Sequence, residues 1–322
     1  MTAAPDAPRV VTLTPNPSLD RALHLERLGV GEVNRAAATH LHPGGKGINV
    51  SRALAAHGVP TRAVLPSGGP DGAQVVALLA AQGVDARPVP VAGDTRSNIT
   101  LTESSGATTK INAPGAALAP DEVAALLAAV ESELPAASAV VAAGSLPAGL
   151  GDDFLTAVAD LGARHGVPVV LDTSGAPFAA AVRHGGLALV KPNDEELAEL
   201  AGTELGTVGD VLAAARTVRA LGTDAVLVSL GAHGALLVAE GGSWWAGGPP
   251  LVPVSTVGAG DSTLAGYLAA AGDPPDRLRR AVAWGRAAVL LPGSAVPRPS
   301  DTRPDEVAVV ADPDPALALK EL

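Results

Sequence analysis

The sequence predicts an α/β protein with a mostly parallel sheet between helices, plus a small β unit. Two observations carry this. In the later two-thirds, short apolar runs alternate with Ala- and Leu-rich stretches, as strands and covering helices do in a parallel sheet. In the earlier third, four segments alternate apolar and polar residues instead, the pattern of strands with one solvated face.

In chain order, the first eight residues read as a loose tail. Val10–Leu13 is a short apolar run ending in TPNPSLD, a strand and a turn. The alternating segments are Ala22–Glu26, Ala38–His42, Asn98–Thr102 and Thr108–Asn112, with Ser104, Ser105 and Gly106 as a turn between the last two. They predict exposed antiparallel strands. Helical patterns cover Gly47–His57 and Gly72–Gln82. From about Ala119 the apolar runs are Ala139–Gly144, Val167–Asp172, Leu187–Pro192 and Ala225–Gly231. Helix starts are marked by Asp121, Asp152 and Thr207, and several helices end in Gly. Pro292–Pro304 is loop-like, with a last short helix expected after it. Both early insertions return to the same core, so a single domain is expected over residues 1–322.

Composition narrows the function. At 322 residues, with 47% hydrophobic content, the chain can bury a large core, and only 2% aromatics argues against an aromatic ligand cage. Gly and Pro, 37 and 28 residues, are spread between apolar segments and read as punctuation in a globular fold. Acidic residues outnumber basic ones 33 to 22, giving a net charge of −11, so neither nucleic acid nor an anionic membrane is an expected partner. The absence of cysteine excludes disulfides, thiolate zinc sites and cysteine nucleophiles. The opening MTAAPDAPRVV lacks a basic segment followed by an apolar core, and no apolar run reaches the roughly 18 residues of a membrane helix. A cytoplasmic address is expected.

Four motifs can carry chemistry. In Ser255–Ala271 (STVGAGDSTLAGYLAAA) a Gly-rich turn opens a helix, so the amides around Gly258, Ala259 and Gly260 lie where the helix dipole favours an anion. Asp261 follows. A carboxylate there can simply cap the helix, but beside an anion hole it is also suited to deprotonating a hydroxyl next to a phosphoryl group. In His42–Gly58 (HPGGKGINVSRALAAHG) a second Gly-rich turn opens a helix. Its spacing fits neither a Walker A loop nor a dinucleotide fingerprint. Lys46, one of four lysines, suits a phosphate or sugar hydroxyls, and Asn49 suits a polyol. In VKPNDEELAEL, Asn193 and Glu196 have capping-box spacing and could also face a hydrated Mg²⁺; both can hold at once. Val228–Leu237 (VSLGAHGALL) is a hairpin turn or a nucleotide contact at a strand end. Asp20, Arg35, Arg96 and the GSLP turn at Gly144–Pro147 are weak signals singly. His40 and His42 read as surface strand residues, not zinc ligands.

Taken together, these residues resemble the ribokinase-like PfkB family of sugar kinases from Val10 to about Gly293. PGGKGINVSRALAAHG and STVGAGDS match its two signatures, and GSLP, KPNDEE and SLGAHG follow in the family's order. TPNPSLD, GEVNR, TRSN and Ser255 are similar to the sugar-phosphate branch, which holds 1-phosphofructokinases, tagatose-6-phosphate kinases and a minor type of 6-phosphofructokinase. Lys46 matches the first two groups and not the third, which has Gly there. The pattern is most similar to bacterial 1-phosphofructokinases.

The resemblance implies a three-layer α/β/α core with a small β-sheet lid, its strands within about 19–42 and 96–113. It implies ATP and Mg²⁺ as cofactors and a sugar phosphate as acceptor, with fructose 1-phosphate ahead of tagatose 6-phosphate and fructose 6-phosphate. It implies Asp261 as general base, with the amides of Gly258, Ala259, Gly260 and Asp261 around the transferring group. Asp20, Gly45, Asn49 and Ser145 would hold sugar hydroxyls, with Gly44 and Asn98 in the same site, and Arg35, Lys46 and Arg96 would hold the resident phosphate. Lys191, Asn193, Ser229, Gly231, Gly234, Ser255, Val257 and Gly258 would line the nucleotide site, with Glu196 and Asn193 orienting Mg²⁺ through water. A homodimer through the lid is expected. A non-catalytic sugar-phosphate sensor is disfavoured by the intact Asp261. One departure is the loop LLPGSAVP, apolar where relatives that hold a monovalent cation can carry polar residues.

Overall fold

The computed structural model describes residues 8–269 and 271–322, so the tail expected over the first eight residues lies outside them but for Pro8. The chain runs β1 (Arg9–Leu13), β2 (Ser18–Leu25), β3 (Ala38–Gly44), α1 (Lys46–Ala56), β4 (Thr61–Ser67), α2 (Gly69–Ala81), β5 (Asp85–Pro90), β6 (Arg96–Glu103), β7 (Thr108–Asn112), α3 (Pro120–Glu133), β8 (Ala137–Ala143), α4 (Phe154–His165), β9 (Val169–Asp172), α5 (Gly175–His184), β10 (Leu189–Val190), α6 (Asp194–Ala201), α7 (Val208–Ala220), β11 (Val226–Ser229), β12 (Ala235–Ala239), β13 (Gly242–Gly247), α8 (Ala259–Leu268), α9 (Pro274–Val289) and β14 (Ala308–Ala311).

Ten strands form one sheet in the order β14-β13-β12-β11-β10-β9-β8-β1-β4-β5. From β5 to β11 every pairing is parallel, and from β11 to β14 it is antiparallel. Strand periodicity sends alternate residues to opposite faces. Val140 and Ala142 of β8 join the core under α3 to α7, with Leu126, Phe154, Phe178, Leu197 and Val211. Val141 and Ala143 join the core under α1, α8 and α9, with Val50, Leu264 and Leu278. Burial on both faces makes these strands near-continuous apolar runs, and the result is the expected three-layer fold.

Helix ends follow local chemistry. Asn193 caps α6 and Thr207 caps α7 through side-chain oxygens, while Gly166 and Gly202 close α4 and α6 in the left-handed region.

The second sheet has the order β3-β2-β6-β7 and corrects one expectation. Its outer pairs are antiparallel, but β2 and β6 run parallel from Ser18 beside Arg96 to Leu25 beside Glu103. β2 follows β1 and β6 follows β5, both beyond the carboxyl ends of parallel strands of the large sheet, and the two run side by side. Alternation reports a solvated face, not strand direction. Leu19 anchors this sheet to the core with Ile48, Leu65, Val75 and Leu79.

A second correction is C-terminal. Where a last helix is expected, β14 pairs antiparallel with β13 and covers that strand's edge, and only a 3₁₀ turn follows at Leu319–Glu321.

Candidate active site

The loops after β1, β8, β9, β10 and β11 all emerge at the carboxyl ends of parallel strands, where open α/β sheets bind ligands. The starts of α1 and α8 and one face of the small sheet complete a cleft of about 590 Å³.

The α1 start fixes the first wall. Gly45 caps the helix at φ 126°, and a Cβ there would lie 2.5 Å from Thr14 Cγ2, so only glycine fits. Lys46 is thereby aimed into the cleft, where its Nζ lies 2.8 Å from Asp172 Oδ1. Lys191, at the end of β10, places its Nζ 3.0 Å from the other oxygen, Asp172 Oδ2. Burial alone would push the Asp172 carboxyl up, but Lys191 and Lys46 beside it hold it below the ordinary carboxylate range. For Lys46, burial works against the charge, yet Asp172 outweighs it and raises its pKa.

The α8 start supplies the second wall. Gly258 caps the helix with φ 77°, and Gly258, Gly260 and Asp261 line the cleft. Amides in a first helical turn have no intrahelical acceptor and attract anions. Asp261 is 7% exposed. Burial, then the neighbouring Asp172 charge, pushes its pKa up to about 6, while the Asn49 hydrogen bond, Lys191 and Lys46 pull the other way. Asn49 Nδ2 donates to Asp261 Oδ2 at 2.9 Å, joining motifs 212 residues apart.

The small sheet supplies the third wall. Asp20 accepts from Ser18 Oγ at 2.7 Å and Asn98 Nδ2 at 3.0 Å. Arg96 is half-buried, with Nη2 donating to Asn16 O at 3.0 Å and Nη1 to Ala113 O at 3.2 Å. Ser145 accepts from Asn16 Nδ2 at 3.1 Å.

Most of the residues expected from sequence therefore meet in one cleft, including Asp20, Gly45, Lys46, Asn49, Asn98, Ser145, Lys191, Asn193, Glu196, Ser229 and Val257. Several do not line it. Arg35 is exposed in the loop from β2 to β3, beyond the end of the small sheet. Gly44 sits behind Asp20, where a Cβ would meet Asp20 Oδ2 at 2.3 Å, so it supports that carboxylate. Ala259 turns its amide back to Thr256 O at 3.4 Å, a long hydrogen bond. Ser255 Oγ donates to Gly293 O at 2.9 Å and accepts from Val257 N, shaping the turn. Gly231 belongs to the 3₁₀ turn between β11 and β12. Gly234 has φ 85°, and a Cβ there would strike Ala246 O of β13 at 2.0 Å, so close strand approach requires it. Val228–Leu237 is thus a hairpin, with Ser229 alone among its named residues at the cleft. The Asn193–Glu196 capping box is formed reciprocally at 2.7 and 2.9 Å, and both side chains still line the cleft.

Sequence reasoning missed Asn16, Ser18, Asp172, Thr173 and Ser174, all of which line the cleft. A polar residue directly after a buried parallel strand, as Asp172 is after VPVVL, was the available signal.

The model of the pfkB family carbohydrate kinases matches residues 15–301. An ATP-dependent 6-phosphofructokinase isozyme 2 from Mycobacterium tuberculosis is 37% identical over 295 residues, 89% of this chain and 86% of that protein. A 1-phosphofructokinase from Xanthomonas campestris is 37% identical over 276 residues, 84% of this chain and 87% of that protein. The crystal structure of phosphofructokinase-2 from Escherichia coli with fructose-6-phosphate superposes with a TM-score of 0.83 at 34% identity, covering 91% of this chain and 96% of that one.

Proposed function

The chain belongs to the pfkB family of carbohydrate kinases, and from that premise we propose that it moves the γ-phosphoryl group of ATP onto the 6-hydroxyl of D-fructose 1-phosphate. The observation that carries this reading is the 2.9 Å contact from Asn49 to Asp261, which brings the GGKG helix and the GAGD helix to one point.

Asp261 takes the proton of the acceptor hydroxyl. The alkoxide oxygen bonds to the γ-phosphorus as the bond to the β,γ-bridging oxygen breaks, and ADP leaves with that electron pair. The amides of Gly258, Gly260 and Asp261 face the charge on the transferring oxygens, and Lys191 flanks them. Positioning and fixed charge thus supply the rate. A base with a pKa about 6 is mostly ionised at neutral pH and still basic enough to accept a proton. Asp172 keeps both lysines at hand without competing as a base, since its own pKa is held low.

Magnesium fits this wall. Glu196 lines the cleft with Oε2 accepting from Asn193 N, and no group of three or more His, Cys, Asp or Glu able to hold a metal exists among the described residues. An ion there would rest on the nucleotide's phosphates, with Glu196 and Asn193 reaching it through water, and would neutralise phosphate charge.

Lys46 supports the 1-phosphate acceptor, because the minor 6-phosphofructokinases it resembles otherwise carry Gly at that turn. Fructose 6-phosphate is the second reading, favoured by the relative of that activity at the same 37% identity. Initial rates of ADP release on fructose 1-phosphate, tagatose 6-phosphate, fructose 6-phosphate and free fructose decide between them. The highest kcat/KM is expected on fructose 1-phosphate. A preference for either 6-phosphate overturns the substrate assignment, and equal turnover of free fructose overturns the phosphate pocket. We also read the small sheet as the face on which two copies pair, supported by β7, which is exposed along its length, and by Ile111 at 53% exposure.

A further inference from the structure

Arg52 lies one turn beyond Asn49 on α1 and is 5% exposed. Its Nη1 donates to Asn49 Oδ1 at 3.0 Å and to Ser294 O at 3.0 Å, and its Nε donates to Gln82 Oε1 at 2.7 Å. All three acceptors are neutral, and Arg52 forms no ion pair among the described residues. Burying a guanidinium without a carboxylate partner is costly, so the arrangement calls for a use.

An amide side chain has a donor end and an acceptor end that differ little in shape. By holding Oδ1, Arg52 leaves Asn49 only one way to face Asp261, with Nδ2 donating. Reversed, Asn49 would set a carbonyl oxygen against a buried carboxylate. We propose that Arg52 is a positioning residue: it locks the Asn49 amide so that Nδ2 always meets the Asp261 carboxylate, and through Ser294 it ties the loop after α9 to that lock. The fork of the guanidinium suits this, because Nη1 and Nε reach three acceptors on three segments at once.

The consequence falls on the ionisation of Asp261. The groups acting on it are Asn49 and Lys46 from α1, the charge of Arg52 itself on the same helix, Asp172 from the end of β9 and Lys191 from the end of β10. Of these only Asn49 can turn its polarity round. Loss of the lock weakens the hydrogen bond to the ionised form, so the carboxyl holds its proton to higher pH.

This inference rests on Asp261 acting as the base, and the test separates the two. In Arg52→Met, kcat is expected to fall roughly ten- to a hundred-fold with KM for ATP nearly unchanged, and the acid limb of the kcat–pH profile to move to higher pH. Arg52→Lys keeps the charge and a single donor nitrogen in place of the fork, and should recover most of the rate. In an Asn49→Ala background, Arg52→Met should shift the limb clearly less, leaving only the loss of the guanidinium charge, since the residue it positions is gone. A limb that stays in place in Arg52→Met, or that shifts equally with and without Asn49, overturns the proposal and leaves Arg52 a packing residue or a remote charge. If Arg52→Met does not fold, Arg52→Lys with and without Asn49 gives the same comparison: a smaller limb shift that vanishes without Asn49 supports the lock, and one that does not vanish overturns it. Activity persisting in Asp261→Asn would instead remove the base itself, whatever Arg52 does.

Discussion

The core wall and the small-sheet wall of the cleft are built differently. On the core wall, Asp261, Asp172 and Lys191 are at most 7% exposed and stand at the ends of buried strands or the start of a helix. The Asp172 carboxylate is fixed between Lys46 at 2.8 Å and Lys191 at 3.0 Å. On the other wall, Asp20, Arg96 and Asn98 are half-buried on strands with a solvated face, and β7 behind them is exposed throughout. Groups that must meet developing charge gain from a dry, rigid setting, where fixed dipoles need not reorganise. Groups that recognise a polar, charged substrate can sit on an element whose buried residues, such as Leu19 and Leu25, lie at the strand ends. On the proposed function, bond-making falls to the core wall and acceptor choice to the small sheet.

Substitutions on the two walls should separate accordingly. The largest effect is expected from Asp261→Asn, which should lower kcat by roughly 10²–10⁴-fold while calorimetry finds ATP binding nearly intact. Loss of ATP binding in parallel would make Asp261 a binding residue. Next, Asp172→Ala leaves Lys191 buried beside Lys46 without its ion-pair partner, and should cost about 3 kcal/mol in denaturant unfolding. Unchanged stability would mean the ion-pair cluster does not hold this wall together. Smaller again, Arg96→Ala should raise KM for the sugar phosphate roughly tenfold, the worth of one charged hydrogen bond, and leave kcat within about threefold. If kcat fell as far as in Asp261→Asn, the division between the walls would not stand.

The core wall was also the more legible one in the sequence. Its Gly-rich helix starts are local signals, since left-handed glycines and an adjacent acidic residue follow one another in the chain. The Asn193–Glu196 capping box is local too and forms as its spacing predicts. Asp172 was legible only as a polar residue ending a buried strand; its ion pairs were not, because its partners lie elsewhere in the sequence, Lys46 being 126 residues away. Arg52 carries no local signal, since its acceptors on Gln82 and Ser294 lie 30 and 242 residues away. In the small sheet the strands were visible but their directions were not, since the parallel β2–β6 pairing depends on where two distant insertions leave the core. The strands β4 and β5 were hidden by the prolines in TRAVLPS and DARPVP, and β14 by its short apolar segment, whose form is set by the open edge of β13.

Asp261 has its pKa raised above the unfolded carboxylate value, so its basic form is lost as pH falls through about 6, well before an ordinary aspartate would protonate. The most direct test of that residue as the base is kcat/KM from pH 4.5 to 9, the parameter that reports ionisations of the free enzyme. The wild type should show an acid limb near pH 6, with kcat/KM falling about tenfold per unit below it, and the residual activity of Asp261→Asn should lack that limb. A wild-type profile flat down to pH 4.5, or an identical limb in Asp261→Asn, would contradict the account.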